Sequence, residues 1–151
     1  MSFYCLKTKL ILPISLNEAW DFFSSPENLN KITPEDMGFI ITNKPAKKMF
    51  AGQIITYKVS PLLGIKINWM TEITHVKEKE YFIDEQRFGP YALWHHRHSF
   101  KETENGVEME DEVNYKLGFS FLGNIAHSLF VKKKLDHVFE YRQQRIAEIF
   151  M

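Results

Sequence analysis

The sequence is short of cysteine. It has one, Cys5, in 151 residues, so no internal disulfide is possible and a reducing, cytoplasmic setting is the expectation. It also lacks a surplus of either charge: 19 Lys plus Arg face 19 Asp plus Glu. That removes the basic field by which proteins accumulate on phosphate backbones, and nucleic acid is not an expected partner. No apolar run approaches the roughly 20 residues that span a bilayer, so stable membrane insertion is not expected. Lys7 and Lys9 interrupt the N-terminal stretch where a secretory signal would keep an apolar core. There is no Gly-rich phosphate loop, no serine in a nucleophile elbow, no internal repeat and no Pro/Gly/Ser linker. A single domain over 1–151 follows.

What the chain does have is aromatic residues. Phe, Tyr and Trp make up 15% of it, more flat side chains than packing alone requires, as if some lined a cavity. Alternation over 3–12 puts Tyr4, Leu6, Leu10 and Leu12 on one face of a strand and Cys5 on the other. Ser15 with Glu18 forms a capping box that opens a helix carrying Leu16, Ala19, Trp20 and Phe23 on one side. Ser25-Pro26 suits an N-cap followed by proline at the first position of a second short helix, with Leu29 and Ile32 inward. From Gly38 the period becomes two, giving strands at about 38–43, 53–60, 64–76, 79–88, 91–104 and 107–118. Gly89-Pro90 and Asn105-Gly106 are read as reversals. The stretch 121–150 predicts one long helix with Ile125, Leu129, Leu135, Phe139, Ile146 and Ile149 along a stripe.

Strand parity sorts the middle of the chain into inner and outer sets. Trp94 and Phe100 are core markers, so His96 and His98 face inward while His95 and Arg97 face out. Asp111 falls in the inward register of Val107, Met109, Val113, Tyr115 and Leu117. A turn on Asn105-Gly106 makes Asp111 a diagonal neighbour of His98. Asp84 and Gln86 share the parity of Phe82, and Thr71 that of Ile65, Ile67, Trp69 and Ile73. Buried acids and imidazoles must be satisfied by one another, by water or by a ligand. His96-x-His98 with Asp111 has the outline of a metal site, but no cysteine or further acid completes a familiar spacing, and no metal or cofactor is assigned. Arg142 lies beside the helical stripe, where it either snorkels or pairs with an inner acid. Lys132, Lys133 and Lys134 read as a solvated face. Lys44–Gly52 and the apolar tip at Leu62 and Leu63 are candidate gates.

Several segments carry a family resemblance: Trp20-Asp21-Phe22-Phe23 with Pro26-Glu27-Asn28-Leu29 and Ile32-Thr33-Pro34; Gly89-Pro90-Tyr91; Trp94-x-His96-x-His98-x-Phe100; Asp111 with Tyr115; and Phe139-x-Tyr141-Arg142. Over nearly its whole length the chain resembles the START-like or SRPBCC superfamily, in particular its bacterial ligand-binding members near the polyketide-cyclase and carbon-monoxide-dehydrogenase branches. The resemblance implies an α+β helix-grip fold in which a curved antiparallel sheet of about seven strands wraps a long C-terminal helix. It also implies a cavity between sheet and helix. The expected lining is Trp69, Thr71, Phe82, Asp84, Gln86, Trp94, His96, His98, Asp111, Tyr115, Phe139 and Arg142. The leading expectation is non-catalytic binding of a small hydrophobic or amphipathic molecule that is lipid, polyketide-like or aromatic. The alternatives are a cyclase or dehydratase using His98 and Asp111 for acid–base work, and an interaction module with a filled core.

Overall fold

The computed structural model describes residues 3–62, 64–118 and 126–151. Strand β1 (Tyr4–Leu12) is followed by helix α1 (Leu16–Phe23) and two 3-10 helices, Pro26–Ile32 and Glu35–Met37. Six strands come next: β2 (Ile40–Ile41), β3 (Gln53–Leu62), β4 (Ile65–Lys77), β5 (Tyr81–Phe88), β6 (Tyr91–Thr103) and β7 (Gly106–Leu117). Helix α2 (Ala126–Phe150) closes the chain. The strands form one antiparallel sheet in the order β1-β7-β6-β5-β4-β3-β2, so the first strand pairs with the last and the rest follow as a meander. Helix α2, about 38 Å long at 1.5 Å per residue, lies across the concave face.

Local chemistry sets the element ends. The Glu18 amide donates to Ser15 Oγ at 3.2 Å and the Ser15 amide to Glu18 Oε2 at 2.9 Å, which completes the capping box of α1. Ser25, in contrast, makes no side-chain cap. Pro26 has already removed one of the orphan amides of the first turn. Gly38 takes φ +54° as the C-cap of the second 3-10 helix. It therefore ends a helix instead of starting a strand, and β2 shrinks to Ile40–Ile41.

Two departures from the expected register matter. The β6–β7 turn sits on Glu104 and Asn105, with Thr103 opposite Gly106, one residue earlier than read from the sequence. Asn105 keeps negative φ, and Gly106 takes the left-handed value of +117°. His98 therefore lies directly opposite Asp111, not diagonal to it. The inner face is unchanged, because sliding the turn by one residue shifts every pairing partner by two. The second departure is on β4, where register shifts around Thr74 let the inner parity pass from Ile73 to Val76. Ile65, at the open end of the same strand, is 62% exposed.

Gly106 also abuts β1: a Cβ there would sit 2.0 Å from the Leu12 carbonyl oxygen. Gly106→Ala meets a left-handed backbone and a main-chain clash together, and is expected to cost at least about 2 kcal/mol. The check is the urea midpoint; an unchanged midpoint would show that the turn relaxes freely.

On α2 the buried stripe is Val131, Leu135, Phe139 and Ile146, with Arg142 in step between the last two. The expected stripe is therefore present at Leu135, Phe139 and Ile146, whereas Leu129 and Ile149 are exposed. Ile125 falls outside the described residues. Among the described residues, no helix is long and apolar enough to cross a membrane.

Candidate functional site

Three adjacent strands and α2 bring five polar side chains together. Register sets Asp84 of β5 opposite His96 of β6, and His98 opposite Asp111 of β7. All four lie on the concave face, where Arg142 of α2 meets them. His96 Nε2 donates to Asp111 Oδ1 at 3.0 Å, and His98 Nε2 donates to Asp84 Oδ2 at 2.7 Å. His98 Nδ1 lies 2.9 Å from Asp111 Oδ1, and His96 Nδ1 lies 3.4 Å from Asp84 Oδ2. Arg142 Nε approaches Asp111 Oδ2 at 3.5 Å. Of the alternatives read for Arg142, pairing with an inner acid is the one present.

The rings form a stack. His96 and His98 centroids are 3.7 Å apart, and Phe82 lies nearly parallel to His98 at 4.1 Å. Phe139 covers His96 edge-on at 5.7 Å. This packing buries His96, His98 and Asp111 to within 4–5% residual exposure.

Charges in so dry a place depend on one another. Burial alone would raise the Asp111 carboxyl, but the Arg142 guanidinium and the two imidazoles outweigh it and hold Asp111 well below the usual carboxylate range. The same contest ends the same way at Asp84, where the imidazoles of His96 and His98 prevail over burial. The two histidines diverge. Burial and the neighbouring His98 push His96 down, whereas the carboxylates of Asp111 and Asp84 overcome burial and push His98 up. The acids thus favour the charged form at His98 and burial favours the neutral form at His96.

Beside this cluster lies a cavity of about 200 Å³ between the sheet and α2. The interior is not filled. Trp69, Thr71, Phe82, Asp84, Trp94, His96, His98, Phe139 and Arg142 all border the cavity. Gln86, Asp111 and Tyr115, expected in the same wall, do not border it. The Gln86 amide turns back on its own hairpin, where it donates to the Tyr91 carbonyl at 2.7 Å and accepts from the Tyr91 amide at 3.1 Å. Asp111 sits behind the imidazoles, and Tyr115 stacks on Tyr4 of β1 at 5.4 Å. The carboxylate that shares a proton with His98 on the cavity side is therefore Asp84.

Tyr57, Tyr91, Phe23 and Val138 also border the cavity, beyond the residues expected from parity. Tyr57 is legible in principle, since it lies opposite Trp69 on the neighbouring strand. Tyr91 is not, because a register shift between Tyr91 and Leu93 brings both Tyr91 and Trp94 to the inner side. Of the two candidate gates, Lys44–Gly52 contributes Met49 to the cavity wall. Leu63 and the side chain of Leu62 lie outside the described residues. Two donors in the wall, Trp69 Nε1 and Arg142 Nε, are buried without a hydrogen-bond partner among the described residues.

No family model matches the chain, and no curated protein matches it. Solved structures do. The di-domain ARO/CYC StfQ from the steffimycin biosynthetic pathway superposes with a TM-score of 0.75 at 8% identity, over 95% of this chain and 50% of that one. Protein SA2116 of unknown function from Staphylococcus aureus gives 0.70 at 11% identity, over 98% and 93%. Ara h 8.0201 gives 0.59 at 13% identity, over 97% and 99%. At such identities the likeness speaks for the fold, and the fold is helix-grip.

Proposed function

We propose that the protein binds a compact, largely apolar molecule carrying one polar oxygen group. Its body lies among Trp69, Phe82, Trp94 and Phe139, and its oxygen points toward Asp84, His98 and Arg142. The observation that carries this reading is the cavity itself: apolar walls with a few convergent polar groups at one end are the usual anatomy of a small-molecule site. Its volume narrows the class. An apolar cavity of about 150 Å³ accommodates benzene, so about 200 Å³ suits one or two rings better than a long acyl chain. The unpartnered donor Trp69 Nε1 adds support, because it costs about 1–3 kcal/mol until an acceptor arrives. The likeness to an ARO/CYC protein supports an aromatic or polyketide-like ligand.

The test compares 1-naphthol with naphthalene. At ten times its Kd a ligand adds about 1.4 kcal/mol, roughly 3–6 °C in Tm for a domain of this size. We expect 1-naphthol to reach that shift and to quench tryptophan fluorescence, naphthalene to bind more weakly, and Arg142→Met to narrow the difference. If neither compound moves Tm or fluorescence, the reading fails.

A further inference from the structure

We infer that Asp84, His96 and His98 form a site for a divalent transition-metal ion at the inner end of the cavity, with Asp111 orienting both imidazoles from behind. From sequence spacing, the acid available to join His96-x-His98 is Asp111. The tertiary arrangement exchanges the roles of the two acids. One donor atom each from Asp84, His96 and His98 lies within 4.8 Å of the others. His98 Nε2 is 2.7 Å and His96 Nδ1 3.4 Å from the same Asp84 oxygen. Donors bound tetrahedrally at about 2.0–2.1 Å stand roughly 3.3 Å apart, so the three close on an ion by each moving about 1 Å or less.

The opposite ring nitrogens make the case stronger than proximity alone. His96 Nε2 and His98 Nδ1 both face Asp111 Oδ1, at 3.0 and 2.9 Å. Asp111 is held in turn by Arg142. A carboxylate behind each imidazole is how metal-binding histidines are commonly fixed in tautomer and direction. Because His96 donates from Nε2, its Nδ1 lone pair points at Asp84 Oδ2, and the two acceptors meet with no hydrogen between them. An ion bonds to both. It takes the place of the single proton that His98 Nε2 directs at Asp84.

The open coordination positions face the cavity, since Asp84, His96 and His98 border it and Asp111 does not. Two imidazoles and one carboxylate suit zinc, iron(II) or cobalt(II), whereas calcium and magnesium favour all-oxygen sets. With Arg142 paired to Asp111, a divalent ion on Asp84 keeps one residual positive charge. An anionic oxygen on the ion, such as a carboxylate or phenolate, cancels it. The site stands whether or not an organic molecule fills the cavity.

The experiment titrates chelator-treated protein with Co²⁺ and follows visible absorption, then adds Zn²⁺. We expect one Co²⁺ per chain, bands of four- or five-coordinate intensity, affinity in the micromolar range or tighter, and displacement by Zn²⁺. Asp84→Asn and His96→Gln should each weaken binding more than about 10-fold, while His75→Gln, an exposed histidine on β4, should leave it unchanged. Melting curves identify folded variants, and if His96→Gln does not fold, Asp84→Asn decides alone. Absence of the cobalt bands, full affinity in Asp84→Asn, or loss of affinity in His75→Gln would overturn the site.

Discussion

Asp111→Asn is expected to destabilise the metal-free protein by about 3–5 kcal/mol, the range for removing one partner of a buried ion pair. That is roughly 6–20 °C in Tm for a domain of this size. Asp111 accepts from His96, lies 2.9 Å from His98 Nδ1 and faces Arg142. The amide keeps the shape but leaves a guanidinium in a dry site without its counter-charge. Adding Arg142→Met in the same chain should recover at least about 1 kcal/mol, because the stranded charge is then gone. Additivity of the two substitutions would rule out the coupling.

The pH dependence of that loss has a definite sign. A carboxyl held well below its ordinary value contributes stability that is fully present above the unfolded value of about 3.9 and is lost as pH falls toward the folded value. The part of the stability gap between wild type and Asp111→Asn that comes from this carboxyl itself should therefore be constant above about pH 5 and narrow only below about pH 4. His98, raised, and His96, lowered, act in opposite directions. Stability from His98 is present below about pH 6.5 and lost as pH rises through its folded value. That from His96 is present above about pH 6.5 and lost as pH falls. Urea titrations at several pH values check the gap; one that widened below pH 4 would refute the assignment.

Trp20→Ala is expected to cost about 3–5 kcal/mol, as large aromatic truncations in cores do. Trp20 is 6% exposed and meets Phe82 and Phe100 edge-on, with centroids 6.0 and 5.6 Å away. Helix α1 has eight residues, too few to persist on local hydrogen bonds and caps. Its attachment to the sheet through Trp20 and Phe23 is therefore what keeps it folded. Trp20→Phe, which retains most of the contact, should cost far less. Denaturation followed by circular dichroism checks both, and a loss under about 1 kcal/mol for Trp20→Ala would place the helix anchor elsewhere.

The site is partly legible in the sequence, and the reason is geometric. In a strand the side-chain period is two, so Trp94 and Phe100 identify the inner face and carry His96 and His98 with them. The one-residue displacement of the Asn105-Gly106 turn leaves that face intact, since a shift of two in partner number preserves parity. It does alter which side chains touch, turning the diagonal neighbour Asp111 into the direct one. Register shifts are invisible in the pattern: Tyr91 faces inward only because the β6–β7 pairing slips beside Ala92. On the helix, Leu129 and Ile149 satisfy the period but lie off the face that meets the sheet.

The sequence by itself determined the element order, the inward parity of the strands and the neutral, disulfide-free character of the chain, because these depend on local spacing and composition. Only the tertiary structure decided that Asp84 meets the histidines on the cavity side, that Asp111 holds them from behind while pairing with Arg142, and that about 200 Å³ stays open. Those contacts join residues as far as 44 positions apart, His98 to Arg142. They follow from sheet register and from the way α2 lies on the sheet, neither of which is written in any one segment.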